Sequence, residues 1–482
     1  MKILFIHSVD DIASPEKPLR SQGEMQFGIS YLSSLLRQNG HETDLVIISR
    51  MLGKSNKKAV EEKISRFGPG LIAFDAVSTE YPFITEIAKS IKEKHPGIFT
   101  LIGGPHASLN PREALSGGFD GVCVGEGEYP TLDVVTALEN KKPLSDIPNI
   151  WTKQGSKIRK NPARPFLEDL QRLPFPDREI WQEWINPDTD DEIPVLLARG
   201  CPFDCAYCCN HALKKLAAGK YVRFRPVTDI LKEIKEVFKR FPGKTHFYLE
   251  VETIGANRKW LLELASALER FNAELKKPLS FRTNLRITPN MDLETMFGAL
   301  KGANFDTLNI GLESGSERVR YDILKRNYSN EDIINAVKLA RKYGLGVHLY
   351  NLIGVPGETL EDFAETIRIN RMCRPDRTYP HIFFPYPGTE LYEICKSRGL
   401  LPAEINTDLE RCKATLDLPG FSKKDIQKSF VWFDYNVYKG RAPLGRILAK
   451  VLVSKLRSNT ILHSVYRRLS FSPVFRYLRK SL

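Results

Sequence analysis

Cys201, Cys205 and Cys208 follow one another at the spacing C-x3-C-x2-C, directly after the apolar run Leu196-Leu-Ala198. Thiolates are soft ligands suited to iron–sulfur clusters, and three of them leave one iron of a four-iron cluster without a protein ligand. A structural zinc site is the competing reading. Zinc wants a fourth Cys or His at matching spacing, and His211 lies too close behind the triplet to complete a pair of pairs. Cys209 adjoins Cys208 in sequence and is not read as a ligand. The spacing favours a [4Fe-4S] cluster with one open iron.

The hydrophobic pattern predicts the elements that carry this loop. From 193 to about 400 the chain repeats strand then helix, with strands expected at Val195–Ala198, His246–Val251, Leu279–Thr283, Thr307–Gly311, Gly346–Leu352 and Thr378–Phe384. Helical stripes lie between them, such as Ile230, Ile234, Val237 and Phe238, or Ile333, Ile334, Val337, Ala340 and Arg341. Six such units predict a (β/α)6 partial TIM barrel. Barrel sites sit at the carboxyl ends of strands, and the triplet follows the first of them.

The triplet and four later strand ends together resemble the radical S-adenosylmethionine (radical SAM) enzymes. In that family the open iron holds the amino and carboxylate groups of SAM, and an electron from the cluster cleaves SAM to a 5′-deoxyadenosyl radical. The resemblance implies a SAM contact at Tyr207, inside the cluster loop. It implies another at Glu250 or Glu252 in Leu249-Glu-Val-Glu-Thr253, where strand alternation aims both acids to one side. This stretch departs from the family's two glycines and an acid, so the choice between the two stays open. Arg282 and Asn284 in Phe281-Arg-Thr-Asn284 would face the cofactor. Glu313 and Ser314 in Asn309-Ile-Gly-Leu-Glu-Ser-Gly-Ser316 match the family's Glu-Ser-Gly, and Gly354 and Pro356 in Leu352-Ile-Gly-Val-Pro-Gly-Glu-Thr359 match its adenine-side loop. Both stretches also read as a strand end and a capped helix start. Phe384-Pro-Tyr-Pro-Gly-Thr-Glu-Leu-Tyr392 is similar to the family's exit from strand six and is expected to wall the substrate side.

Residues 1–140 alternate short apolar strands with amphipathic helices, which predicts a doubly wound, Rossmann-like parallel sheet. Strands are expected at Lys2–His7, Asp44–Ser49, Leu71–Asp75, Phe99–Ile102 and Gly121–Val124. One helix stripe is Ile29, Leu32, Leu35 and Leu36, and another is Ile84, Ile87, Ala88 and Ile91. In such sheets ligands bind beyond the carboxyl ends of the strands. There lie Asp75-Ala-Val-Ser-Thr79, Gly103-Gly-Pro-His-Ala-Ser108 and Gly125-Glu-Gly-Glu128. In this order they resemble the cobalamin-binding domain that precedes the barrel in one radical SAM class. The resemblance implies cobalamin contacts at Ser78, Thr79, Gly103, Gly104, His106, Gly125, Glu126, Gly127 and Glu128. The D-x-H-x-x-G motif, whose histidine serves as cobalamin's lower ligand in many methyltransferases and mutases, is absent. His106 is therefore expected in the pocket or its loop rather than on cobalt.

Residues 141–190 read as a connector, with a small hairpin around Gln154-Gly-Ser156 and four prolines between 162 and 176. The remaining 401–482 read as a C-terminal helical region. The net charge of +13 is concentrated there, because eleven basic residues and no acid follow Asp434. Leu444, Ile447, Leu448, Val451, Leu452 and Leu456 form a helical stripe with Arg446, Lys450, Lys455 and Arg457 mainly off it, and Ile461, Leu462, Val465 and Leu469 repeat the pattern. Basic amphipathic helices of this kind suit an anionic membrane surface, and equally a helix packed on the barrel with a solvated basic face. Nucleic acid is not expected, since aromatic interleaving is sparse and no recognition module is visible. Neither a signal peptide nor an apolar run of the roughly 20 residues needed to span a bilayer is visible, and a cytoplasmic, reducing location is expected.

The expected function is radical SAM chemistry with [4Fe-4S], SAM and cobalamin as cofactors, most simply C-methylation of a hydrophobic small-molecule substrate. The resemblance further implies an external electron donor of flavodoxin or ferredoxin type. The alternatives are a radical cyclase or rearrangement, as in the anaerobic magnesium-protoporphyrin monomethyl ester cyclase, and a non-catalytic cobalamin sensor.

Overall fold

The computed structural model describes residues 1–155, 157–186, 192–407, 409–470 and 472. The chain divides into two compact units, Met1–Asp190 with Cys209–Arg225, and Asp191–Cys208 with Pro226–Leu482.

The first unit holds a seven-stranded sheet. Its strands are β1 (Lys2–Ser8), β2 (Glu42–Ile48), β3 (Leu71–Asp75), β4 (Phe99–Gly103), β5 (Gly121–Cys123), β6 (Ile150–Gln154) and β7 (Lys157–Lys160). They lie in the order β2-β1-β3-β4-β5-β6-β7. The first five are parallel, and their register runs Leu4↔Asp44 between β1 and β2 and Leu4↔Ile72 between β1 and β3. This order reverses between β1 and β3, the switch point where doubly wound sheets bind ligands. The helix stripes bury as their periodicity requires: Ile84, Ile87, Ala88 and Ile91 all join the core with Ile6, Ile72 and Ile102.

The stretch expected as a connector is part of this unit. Strand β6 pairs antiparallel with β5, and β7 closes the hairpin, so the sheet gains two strands at its edge. Beyond the hairpin, Trp181 is fully buried and its indole N–H donates to Ser30 Oγ at 2.8 Å. Asp177 accepts from Ser33 and Arg37 at 2.7 and 2.9 Å, which ties the proline-rich run to the helix Phe27–Gln38. Prolines remove donors but leave side chains able to dock, which composition alone does not register.

The second unit is a six-stranded, wholly parallel sheet. Its strands are β8 (Glu192–Leu196), β9 (His246–Glu250), β10 (Ser280–Leu285), β11 (Phe305–Glu313), β12 (Gly346–Ile353) and β13 (Arg377–Ile382), in sequential order with helices between them. Sequential order with parallel pairing is the arrangement of a partial barrel. The helix stripes hold in part: Ile230, Ile234, Val237, Ile333, Val337 and Ala340 are buried, while Phe238 and Ile334 are half-buried. In the helix Asn330–Lys342, Ala336 is buried and Arg341 is exposed, because the core face passes over 333, 336, 337 and 340. The C-terminal region is not a separate layer: Leu416, Phe421, Ile426, Phe430, Phe433 and Val437 pack with Val319, Ile353, Phe363 and Phe383 in one core.

Gly104, at φ +92°, illustrates how tightly β4 turns into its loop. A Cβ there would run into the Asp75 carboxylate and the Ala76 backbone. Gly104→Ala is expected to lower stability by about 2 kcal/mol through strain and overpacking, measured as a fall in melting temperature or denaturant midpoint.

Candidate active site

Cys201, Cys205 and Cys208 line a single cavity of about 440 Å³ in the second unit. The loop that carries them leaves β8 and is pinned at its middle. Ala206 N donates to Leu324 O at 3.2 Å, while Ala206 O accepts from Leu391 N at 3.0 Å. The rest of the wall comes from strand ends: Glu252 and Thr253 after β9, Asn284 and Arg286 at β10, Asn309 and Glu313 on β11, Tyr350 and Leu352 on β12, and His381 to Phe384 at β13. The donor set fits a soft-metal cluster. Among the described residues no three Cys, His, Asp or Glu side chains converge on one metal ion. Three soft thiols on one cavity wall suit an iron–sulfur cluster, with the three thiolates as its protein ligands.

Tyr207 ties this loop to β11. Its hydroxyl donates to Glu313 Oε1 at 3.0 Å, and Arg326 Nη1 reaches both the Tyr207 oxygen (2.9 Å) and Glu313 Oε1 (3.2 Å). Burial holds the Tyr207 phenol well above its usual range, so it stays a neutral donor. Glu313 sits at φ +58° after a register shift between Gly311 and Glu313, a bulge that re-aims its carboxylate. Arg326 Nη2 on Gly311 O and the Tyr328 hydroxyl on Leu312 O hold that strained turn in place.

The other expected SAM residues separate into two groups. Asn284 reaches the wall, donating to the Tyr248 hydroxyl at 2.7 Å and accepting from Asn309 at 3.1 Å, while Asn309 Oδ1 is buried without a partner. Of Glu250, the last residue of β9, and Glu252 just beyond it, only Glu252 lines the cavity. Glu250 is half-buried beside it, and burial reinforced by the Glu252 charge pushes its carboxyl up to about 7. Arg282 lies two residues deeper in the barrel, paired with Glu192 over the Tyr248 ring. Ser314 is buried, its hydroxyl 3.3 Å from Thr366 Oγ1 and accepting from Ser316 N. A Cβ at Gly315 would strike the backbone of Glu365 and Thr366, so this Ser-Gly pair serves close helix packing. Gly354 and Pro356 also lie off the cavity wall. Buried Glu358 turns back onto the amides of Gly354 and Val355 at 2.5 and 3.1 Å, and fixes the loop.

In the first unit the expected cobalamin residues likewise divide. Gly125, Glu126 and Glu128 line a cavity of about 280 Å³ with Asn149, Arg164 and Phe166. Glu126 is held by Arg223 at 2.9 Å and by Leu167 N at 3.0 Å, and Gly125 N donates to Ser108 Oγ at 3.0 Å. Gly127, at the cap of the helix Glu128–Glu139, has a would-be Cβ in ordinary contact with Cys123 and Thr131. Ser78, Thr79, Gly103, Gly104 and His106 form a second cluster, at the ends of β3 and β4. His106 stacks on Tyr81 at 4.1 Å and shares a 3.2 Å hydrogen bond with Ser78; burial pushes its pKa down to about 4. His106 is buried in the short helix Gly104–Leu109 and lines neither of the two cavities described here.

Two family models match. The radical SAM superfamily model covers residues 195–369, and the B12 binding domain model covers residues 24–135. This chain joins a B12-binding domain to a radical SAM domain. Over 408 residues it is 27% identical to the uncharacterized methyltransferase PH0819 of Pyrococcus horikoshii, covering 83% of this chain and 85% of that one. It is 24% identical over 376 residues to the anaerobic magnesium-protoporphyrin IX monomethyl ester cyclase of Rubrivivax gelatinosus, covering 76% of this chain and 65% of the cyclase. Its fold is similar to that of the radical SAM methyltransferase TsrM from Kitasatospora setae, solved with cobalamin and a [4Fe-4S] cluster. That likeness has a TM-score of 0.68 at 14% identity, over 100% of this chain and 99% of TsrM. Fold, domain content and three-thiol loop agree on a cobalamin-dependent radical SAM enzyme.

Sequence reasoning missed several residues on the radical SAM domain's cavity wall, among them Arg286, Asn309 and Arg326. Alternation from Arg282 through Asn284 points to Arg286, two residues past the stretch considered. Arg326 carries no such signal, since only the fold returns it to the cluster loop.

Glu358 supplies a pH test of this architecture. Burial pushes its carboxyl up to about 8, against the pull of its two amide bonds. The folded state therefore holds this proton more tightly than the unfolded state, and stability falls as pH rises from the ordinary Glu range toward 8. Glu358→Gln is expected to flatten that fall, read as melting temperature against pH.

Proposed function

We propose that this enzyme methylates an unactivated carbon of a hydrophobic or lipid-like substrate. The observation that carries the reading is a B12-binding domain joined to a three-thiol cavity whose lining also includes the aromatic and aliphatic side chains of Tyr350, Leu352, Ile382, Phe383 and Phe384. When bound, the cluster with SAM and cobalamin supply a 5′-deoxyadenosyl radical and a transferable methyl group. The chain's own residues then bind, orient and seclude. Cys201, Cys205 and Cys208 would hold the cluster. Glu252, Asn284 and Asn309 offer a carboxylate and amides to the polar end of SAM, and Tyr207 with Arg326 holds Glu313 toward the same space. The apolar side of the cavity excludes water from a reactive carbon centre. His381 belongs to that side, held neutral by burial that pushes its pKa down to about 3. In the first unit, Gly125, Glu126 and Glu128 are the proposed cobalamin contacts, with the Ser78–Thr79 loop after β3 and the Gly103–Gly104 turn after β4. A one-electron donor of flavodoxin or ferredoxin class completes the chemistry.

The test is anaerobic turnover of the reconstituted protein with SAM, cobalamin and a reductant. Wild type is expected to form 5′-deoxyadenosine and to move a labelled methyl group from SAM to cobalamin. Cys205→Ala is expected to form no 5′-deoxyadenosine, a loss of at least about 100-fold once the cluster ligand is gone. SAM cleavage without any label transfer would instead favour the cyclase-type reading that the likeness to the Rubrivivax enzyme supports.

We further propose peripheral contact with an anionic membrane, on the cytoplasmic side. The helix Leu444–Ser458 buries Ile447 and Val451 but leaves Leu444, Leu448 and Leu452 exposed at 59%, 44% and 57%. After it, Ile461, Val465 and Leu469 are exposed at the same four-residue spacing. Arg446, Lys455 and Arg457 are exposed on the first helix, so apolar and basic surface occur together as interfacial helices require. Arg476, Arg479 and Lys480 lie outside the described residues. No helix among the described residues is long and apolar enough to cross a membrane. Truncation near residue 440, and Leu448→Asp with Leu452→Asp in the full chain, are both expected to abolish sedimentation with phosphatidylserine vesicles. Unchanged sedimentation would sink the membrane reading.

A further inference from the structure

Three arginines line the radical SAM cavity: Arg286, Arg326 and Arg411. Two of them have a carboxylate partner, Glu313 for Arg326 at 3.2 Å and Glu410 for Arg411 at 2.8 Å. Arg286 has none among the described residues. It is 9% exposed, and its Nε is buried without any acceptor. What it has is sulfur: Nη1 lies 2.7 Å from the Sγ of Cys205. Its guanidinium also lies over the ring of Phe203, in the same loop, at 3.7 Å from the ring centre. Burying a guanidinium without an anion is costly, so a compensating negative charge belongs beside it.

The side chain is held there from several directions. Arg286 N donates to Thr253 Oγ1 at 2.9 Å, and Nη2 reaches Lys325 O at 3.5 Å. Lys325 follows Leu324, whose carbonyl receives the Ala206 amide of the cluster loop. The cation is thus held beside the Cys205 thiol by Phe203 of the loop and by the segment that receives the Ala206 amide.

We propose that Arg286 is a positioning residue for the iron–sulfur cluster, which holds the Cys205 sulfur and makes the cluster easier to reduce. The inference rests on the radical SAM reading of the three thiols. A [4Fe-4S]2+ core with three thiolates carries a net charge of about −1, and one electron from an external low-potential donor takes it to about −2. A fixed cation hydrogen-bonded to a ligand sulfur stabilises the more negative state more, so the reduction potential rises. No proton or bond changes in this step; the donor is oxidised by one electron and the cluster reduced by one.

The test uses the full chain, reconstituted anaerobically and titrated with dithionite and viologen mediators in the absence of SAM, so that a contact to SAM does not enter. Reduced cluster is read by electron paramagnetic resonance, and iron and sulfide content establish equal loading. Arg286→Gln is expected to lower the ratio of reduced to oxidised cluster about tenfold at a fixed potential, a negative shift of about 59 mV for one electron. Arg286→Lys, which keeps the charge without the planar fork, is expected to fall between. A loaded Gln variant that titrates like wild type overturns the proposal, including the case where it binds SAM more weakly. If Gln loads no cluster, Arg286→Met is judged by the same criterion. Failure of both neutral variants with normal loading of Lys supports the role, and failure of all three alike overturns it. A wild type that forms no cluster overturns the radical SAM reading itself.

Discussion

Three thiols separated by a few residues form a cluster site only if one short loop is held so that all of them face the same space. Ala206 is where that constraint is met. Both sides of its peptide are engaged, N–H to Leu324 O and C=O from Leu391 N, and its side chain is fully buried. Tyr207 next to it is clamped by Glu313 and Arg326, and Cys205 before it by Arg286. A loop fixed at three successive residues has little conformational freedom left to lose when a cofactor arrives, which is how preorganisation strengthens binding.

The same clamp explains why Glu313 adopts a left-handed backbone. Such a conformation costs of order 1–3 kcal/mol for a residue other than glycine and persists only where surroundings over-determine it. Here Arg326 and Tyr328 bond to the carbonyls of Gly311 and Leu312, just before it, while the carboxylate takes Tyr207 and Arg326. Removing one partner would loosen strand end and cluster loop together. The Ser314-Gly315 pair that follows works in the opposite direction, into the helix Leu360–Cys373, where only a missing Cβ allows such close approach. One short motif thus faces a cavity with its first residue and a helix with the next two.

The B12-binding unit follows a different logic. Its parallel sheet brings the loop after β3 to the switch point beside β1, with the β4 loop next to it, and close packing of Gly104 on Asp75 and Ala76 shapes the turn between them. The antiparallel hairpin β6–β7 extends the β5 side of the sheet, and residues 164–167 after it wall a separate cavity with Glu126 and Glu128. Further along the same stretch, Asp177 and Trp181 are bonded by Ser33 and Ser30 of the first helix of this unit.

Local chemistry determined much of this protein. The cysteine spacing, the period of each helix stripe and the glycines after strands depend on neighbours within a few residues, so the sequence alone carries them. Ile84, Ile87, Ala88 and Ile91 are buried as their spacing requires, and β3 spans the five residues its apolar run marks out. What local pattern did not carry is which way a side chain turns at a strand end. Glu252 and Glu250 are two residues apart, yet only Glu252 reaches the cavity, because the strand ends at Glu250 and alternation ends with it. Ser314, Gly354 and Pro356 sit in recognisable motifs but face helices and their own loop, since close packing there uses them first. Arg286 and Arg326 gain their meaning from contacts 81 and 119 residues away in the chain. Only the closed fold brings such charges to the cluster loop, because burial and pairing depend on everything that packs around them.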